Sequence, residues 1–143
     1  MPQNKLKSSY SETLGYSEKI INYSETLGLE DWRLSEFFNH IGSLGFHIYR
    51  LSQHMQQFQR GEKGIFISSK TLSNERRNSQ DSLSYLMLYI EEIEEALNLQ
   101  NGDIPNSGEI KQTLEDFHLA LNAMDNTLEK EVNEIIGVVK SSE

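Results

Sequence analysis

Apolar side chains recur along this chain at alternating steps of three and four residues, the spacing of an amphipathic α-helix. The longest unbroken series predicts a helix B over about residues 32–59. Its members are Leu34, Phe37, Ile41, Leu44, Ile48, Leu51, Met55 and Phe58. A second series, Leu83 to Leu97, predicts a helix C over about residues 75–99, with Ser73 or Asn74 as its N-cap. A third, Ile110 to Val138, predicts a helix D over about residues 108–140, capped by Ser107 and interrupted only by Glu131.

The first thirty residues are less regular. Tyr16, Ile20, Tyr23 and Leu27 form a short series that predicts a helix A over about residues 10–27, which Gly28 would end. Helices B and D, at about 30 residues each, would be roughly 45 Å long. The sequence therefore predicts an all-α fold, an up-down-up-down four-helix bundle with long helices, as a single domain over residues 1–143. A globular many-helix fold is the competitor, and the unbroken apolar series on one face of each helix favours the bundle.

Composition narrows the classes of protein that fit. The 143 residues include no Cys, which excludes disulfides, zinc held by thiolates and thiol catalysis. No apolar run approaches the roughly 18 residues that a membrane span needs. The N-terminal segment lacks the apolar middle of a signal peptide, so we expect a cytoplasmic protein that does not engage a membrane.

Charge is unevenly placed along the chain, whose formal net charge is −9. Residues 1–80 hold ten Lys and Arg against eight Asp and Glu, whereas residues 81–143 hold three against fourteen. An acidic field of this kind repels phosphate backbones and anionic lipid head groups. We therefore expect no direct binding of nucleic acid, and a basic protein is the favoured partner.

Histidines form a column on helix B, where His40, His47 and His54 recur every seven residues. Neighbours in this column are about 10 Å apart along the helix, too far to share one metal ion. The remaining histidine, His118, follows Glu115 in a Glu-x-x-His pattern that resembles half of a di-iron bundle site. Such a site needs a second copy and two further glutamates. We therefore expect structural histidines and no bound cofactor, with a metal-binding or phosphotransfer bundle that uses His40, His47 or His54 as the alternative.

Two short segments resemble those of known helical families. The segment from His40 to Gly45 resembles the phosphorylated region of histidine phosphotransfer domains, but it lacks their Lys after the His. The run Glu91–Glu95 resembles the paired glutamates with which nucleotide pyrophosphohydrolases of the MazG type hold magnesium. That resemblance covers five residues, and helix D lacks that family's downstream Glu-x-x-Asp. No Ser/His/Asp set, phosphate-binding loop or glycine-rich fingerprint is present, so the sequence predicts no enzyme.

Large apolar side chains also lie where a bundle surface should be polar. The candidate partner-binding residues are Gly42, Phe46 and Tyr49 on helix B, and Tyr85, Leu88, Glu91, Glu92 and Glu95 on helix C. Three alternatives are open for Phe46 and Tyr49. The apolar Gly64–Ile67 connection folds over them, or a second chain docks there and forms a homodimer, with Gly42 allowing a close approach, or the two rings are simply exposed. The sequence thus predicts a non-enzymatic acidic bundle that acts through protein–protein interaction, as an adaptor, regulator or inhibitor.

Overall fold

The structure is a computed structural model that describes residues 5–28, 31–60, 68–99 and 104–142. Its elements are α1 (Lys5–Thr26), α2 (Asp31–Arg60), α3 (Ser69–Leu99), α4 (Ser107–Thr127), a π-helical turn (Leu128–Val132) and α5 (Asn133–Ser142). Because α4, the π turn and α5 follow one another without a break, they form one long fourth helix. Within those ranges no strand is present. Nor is any helix in them long and apolar enough to cross a membrane.

The four helices lie antiparallel to their neighbours in chain order, and α1 closes the ring against α4. Side-chain contacts fix these directions, because residue numbers rise on one helix while they fall on the next. The contacts are Lys7 with Tyr49 and Tyr10 with Ile41 for α1 and α2, Arg33 with Glu92 and Arg50 with Glu75 for α2 and α3, Arg76 with Asn133 and Gln80 with Asp125 for α3 and the fourth helix, and Tyr23 with Glu109 and Lys5 with Glu131 for α1 and the fourth helix. The predicted up-down-up-down four-helix bundle is confirmed.

The core is built from the apolar series of helices B and C. Every member of the helix C series is buried, as are the central members of the helix B series from Phe37 to Leu51. Near the N-terminal end of α2, Phe37 stacks on Tyr89 with ring centroids 4.6 Å apart, and Phe117 of α4 approaches Phe37 at 6.4 Å. This aromatic cluster joins α2, α3 and α4.

Helix α1 begins five residues before the predicted start at residue 10. The buried face of α1 extends back to Leu6, but three of the buried positions are polar: Thr13, Ser17 and Ser24. Each hydroxyl donates a hydrogen bond to a carbonyl oxygen of its own helix, at 2.7 to 2.9 Å, so it can be buried at little cost. Apolar periodicity could not detect these positions. The predicted end is confirmed, since Gly28 follows α1 with a positive φ of 65°.

Both predicted N-caps are wrong. Helix α3 starts directly after Ser68, whose Oγ accepts a hydrogen bond of 3.1 Å from the backbone N–H of Thr71. This is the geometry of an N-cap, so Ser73 and Asn74 lie inside the helix instead. On the fourth helix Ser107 is the first helical residue, and no side chain caps that end.

The π turn changes which residues of the fourth helix face the core. The apolar series moves from Leu128 to Val132, so that Val132 takes the core position and Glu131, 24% exposed, forms an ion pair with Lys5 of α1. Past the turn, Val138 is 51% exposed and Val139 is 5% exposed. The predicted burial of Val138 is therefore wrong by one residue.

Candidate functional site

A groove of about 130 Å³ runs between α2 and α3 on the outside of the bundle. Its lining residues are Glu36, His40, Tyr85, Leu88, Tyr89 and Glu92, together with the buried Phe37 and Leu86. We call this the α2–α3 groove. Tyr85, Leu88 and Glu92 were predicted to bind a partner, and the structure brings these three together.

Two ring stacks across the helix interface shape the groove. The His40 and Tyr85 rings lie 4.3 Å apart and 10° from parallel, and Phe37 and Tyr89 stack in the same way one turn further along. Tyr89 is buried, which raises the pKa of its phenol above the ordinary 10.0. Tyr85 remains more than half exposed. The groove therefore has a rigid aromatic wall with one accessible ring.

Carboxylates stand on both sides of this aromatic wall. Glu36 comes from α2 and Glu92 from α3, and both are exposed. Glu92 also forms an ion pair with Arg33 of α2. A second, wider recess shares Tyr85 and Leu88 with the groove and is lined by Asp81 and Ser84. Tyr85 and Leu88 thus form an apolar ridge with acidic side chains in the recess on each side.

A second apolar surface lies on the outside of α2. Phe38, Gly42, Phe46 and Tyr49 follow one another at helical spacing, and the three aromatic side chains are each about half exposed. We call these four residues the α2 face. Phe38 was missed by sequence reasoning because its neighbour Phe37 occupies the core series.

Basic side chains lie over the α2 face. The guanidinium of Arg50 is 5.5 Å from the ring centroid of Phe46, and the amine of Lys7 on α1 is 5.3 Å from that of Tyr49. Phe46 lies six residues beyond His40, or about 9 Å along the axis of α2. The predicted partner-binding residues therefore fall into two groups, the α2–α3 groove and the α2 face, while Glu91 and Glu95 are exposed on α3 outside both.

Two glycines on α2 differ in their surroundings. A Cβ at Gly42 would meet nothing within 4 Å, so this part of the α2 face is open. A Cβ at Gly45 would lie 2.5 Å from Cζ of Tyr10 and closer still to its hydroxyl. That hydroxyl donates a hydrogen bond of 2.9 Å to the carbonyl oxygen of Ile41, and burial raises the pKa of the phenol. Within the bundle, Gly45 is the position that allows a close approach.

The histidine column does not act as one unit. Nδ1 of His47 is hydrogen-bonded to Oε2 of Glu75 on α3, and Nη1 of Arg50 lies 3.2 Å from the other carboxylate oxygen. Glu75 is only 6% exposed, and Arg50 balances the charge of its buried carboxylate. His47 thus reaches a carboxylate on a neighbouring helix, the arrangement that would favour a metal site, but Arg50 holds the remaining oxygen.

The other histidines have different surroundings. Both ring nitrogens of His54 are buried without a hydrogen-bond partner. Glu115 is exposed and lines a recess with Lys111, and His118 is partly exposed. In the four described ranges, no three His, Cys, Asp or Glu side chains are grouped so that they could hold a metal ion. The Gly64–Ile67 connection, the other predicted cover for Phe46 and Tyr49, lies outside the described residues.

Comparisons with known proteins give no relative from which to infer a role. No known family matches this chain, and neither does any curated protein or solved structure. The α2–α3 groove and the α2 face are therefore the features that indicate a role.

Proposed function

We propose that this protein acts without catalysis, by binding another protein, and that it serves as an adaptor, regulator or inhibitor of a partner with a basic surface. Support comes from the distribution of charge over the bundle. Residues 69–99 of α3 carry six acidic and three basic side chains, and residues 107–142 of the fourth helix carry seven acidic and three basic side chains. Helices α1 and α2 together carry five acidic and six basic side chains. Because α3 and the fourth helix are neighbours, one side of the molecule is acidic.

The observation that carries this proposal is the exposed apolar ridge on the acidic side. Tyr85 and Leu88 are each more than half exposed, and the recesses on either side contain Glu36, Asp81 and Glu92. An apolar centre inside a polar rim is the usual anatomy of a protein interface, and Tyr is enriched among the residues that contribute most to binding. Opposite charge accelerates the encounter with a basic partner.

The α2 face fits a different occupant, a second copy of this chain. The residues of α1 and α2 are close to neutral in sum, so two copies meeting there keep their acidic sides apart. The open position at Gly42 lets a second helix approach closely. A homodimer formed in this way leaves the ridge on each copy free for the basic partner.

Affinity capture from the source cells tests the proposal. The bait is the full chain, compared with the double variant Tyr85→Ser with Leu88→Ser and with Leu119→Ser, which changes another exposed leucine, on α4. We expect a basic protein that binds the full chain and Leu119→Ser but not the double variant. The purified partner should then bind with a 1:1 ratio of chains by native mass spectrometry.

Circular dichroism controls for folding, because these surface changes should leave the helical signal unchanged. The proposal fails if the double variant, still helical, retains every protein that the full chain binds. The homodimer is tested separately. Phe46→Ala with Tyr49→Ala should convert a dimer into a monomer by native mass spectrometry, and a full chain that is monomeric at micromolar concentration contradicts it.

A further inference from the structure

We propose that the α2–α3 groove is a recognition site for an arginine side chain of the partner, whose guanidinium lies against Tyr85 and between the carboxylates of Glu36 and Glu92. This inference rests on the proposed function, because it names the chemistry of the partner at the same surface. It adds a specific ligand group to what charge alone predicts.

The chemistry of the lining favours a flat cation. The Tyr85 ring stacks on His40 and is still more than half exposed, so it presents a π surface that attracts a cation. Glu36 and Glu92 belong to different helices and line the same groove of about 130 Å³. A guanidinium can stack on a ring and donate hydrogen bonds to two carboxylates in its own plane, which a lysine ammonium cannot do.

The chain already contains an example of this chemistry. The guanidinium of Arg33 pairs with Oε2 of Glu92 across α2 and α3. Glu36, by contrast, makes no ion pair with any residue in the described ranges. The groove therefore holds one carboxylate that is engaged by arginine within the chain and another that is free to engage one from outside.

The recess beside Asp81 and Ser84 indicates where the residues of the partner next to this arginine would bind. Asp81, Tyr85, Leu88 and Glu92 are spaced by four, three and four residues and lie on one side of α3, over about 16 Å. A basic segment that inserts arginine beside Glu36 and Glu92 can place an apolar side chain on the Tyr85 and Leu88 ridge and a second basic group near Asp81. The occupant is thus an arginine-containing, amphipathic segment of a basic protein.

Titration of the full chain with tetra-arginine amide, followed by NMR of its backbone amides, tests this site. We expect saturable shifts centred on residues of the α2–α3 groove, and an affinity for tetra-lysine amide that is weaker by about threefold or more. Both peptides carry the same charge, so the comparison separates recognition of the guanidinium from attraction by the acidic side.

Paired glutamine variants locate the contact. Glu36→Gln removes a groove carboxylate, and Glu95→Gln removes an exposed carboxylate of α3 outside the groove. We expect about a tenfold loss of affinity for tetra-arginine amide in the first variant and less than a twofold loss in the second. Tyr85→Leu, which keeps an apolar residue but no ring, should also weaken binding and reduce the preference for arginine.

Equal losses in Glu36→Gln and Glu95→Gln, or equal affinities for the two peptides, would overturn the site. Such results would mean that the acidic side attracts cations without a specific pocket. They would leave the proposed function standing if the partner captured by the full chain is still lost from the Tyr85→Ser and Leu88→Ser double variant. Conversely, a specific arginine site with no captured partner would contradict the proposed function alone.

Discussion

Replacing Gly45 by Ala should destabilise the bundle, whereas replacing Gly42, three residues away on α2, should stabilise it. Glycine inside a helix costs about 0.5–1 kcal/mol relative to alanine. Within one bundle nothing lies within 4 Å of a Cβ at Gly42, so Gly42→Ala should recover that amount in the monomer. A Cβ at Gly45 would overlap the Tyr10 phenol and force the ring away from Ile41.

The cost at Gly45 can be estimated from what Tyr10 loses. The hydrogen bond to the Ile41 carbonyl contributes about 1 kcal/mol. Exposing about half of the roughly 200 Å² that a tyrosine side chain buries costs about 2.5 kcal/mol at 25 cal/mol per Å². After the gain in helix propensity, Gly45→Ala should lower the free energy of unfolding by about 2.5 kcal/mol. For a domain of this size the melting temperature would fall by roughly 8 °C.

Urea unfolding monitored by circular dichroism measures both variants, and alkaline titration of tyrosine absorbance follows the displaced ring. The pKa of Tyr10, raised by burial, should return towards 10.0 in Gly45→Ala. In a Tyr10→Ala background the destabilisation should vanish, because nothing then fills the space beside Gly45. Equal stabilisation by Gly42→Ala and Gly45→Ala in the unaltered chain would refute the packing of Tyr10 against α2.

Three further outcomes are expected. Glu75→Gln should lower the free energy of unfolding by about 2 kcal/mol in urea, because a neutral amide replaces the buried carboxylate that contacts both His47 and Arg50. The exposed Glu91→Gln should lower it by under about 0.5 kcal/mol, and similar losses in the two variants would contradict the buried contacts of Glu75. The hydrogen bond that Gln80 donates to Glu129 lowers the pKa of this carboxyl from its ordinary 4.5. The contact therefore stabilises the fold above pH 4.5, and this stabilisation is lost as the pH falls and the carboxylate is protonated. Gln80→Ala should raise the pKa of Glu129 in an NMR titration, and an unchanged pKa would contradict the hydrogen bond. Deleting Lys130 should convert the π turn to α-helix and change stability by less than about 1 kcal/mol; unfolding of the deletion variant would refute that interpretation.

The fold was predictable wherever apolar residues alone mark the core. Between Phe37 and Leu51, and between Leu83 and Leu97, every buried position of the predicted series is apolar, and periodicity missed only Tyr89 in these two stretches. It failed where the core contains hydroxyl groups, as at Thr13, because a hydroxyl that bonds within its own helix leaves no apolar signal in the sequence. The same limit hid the first turns of α1 and α3.

The candidate site was predictable only in part, because it depends on how two helices align. The exposed positions of Tyr85 and Leu88 follow from the α3 series alone. Their meeting with His40 and Glu36 depends on the register between α2 and α3, which no single-helix pattern contains. For this reason sequence reasoning joined Tyr85 to Phe46 in one set, although the structure places them on separate surfaces.

The π turn at Leu128–Val132 also bears on how this protein's gene can vary in length. A π turn is the usual result of inserting one residue into an α-helix, because the extra residue is absorbed locally and the helix continues on both sides. Homologues that lack one codon in this segment would keep the same core residues, with the equivalents of Val132, Ile136 and Val139 at regular spacing after Leu128. An alignment of such sequences should therefore allow a single-residue gap here, and should match core positions past it to Val139 and not to Val138.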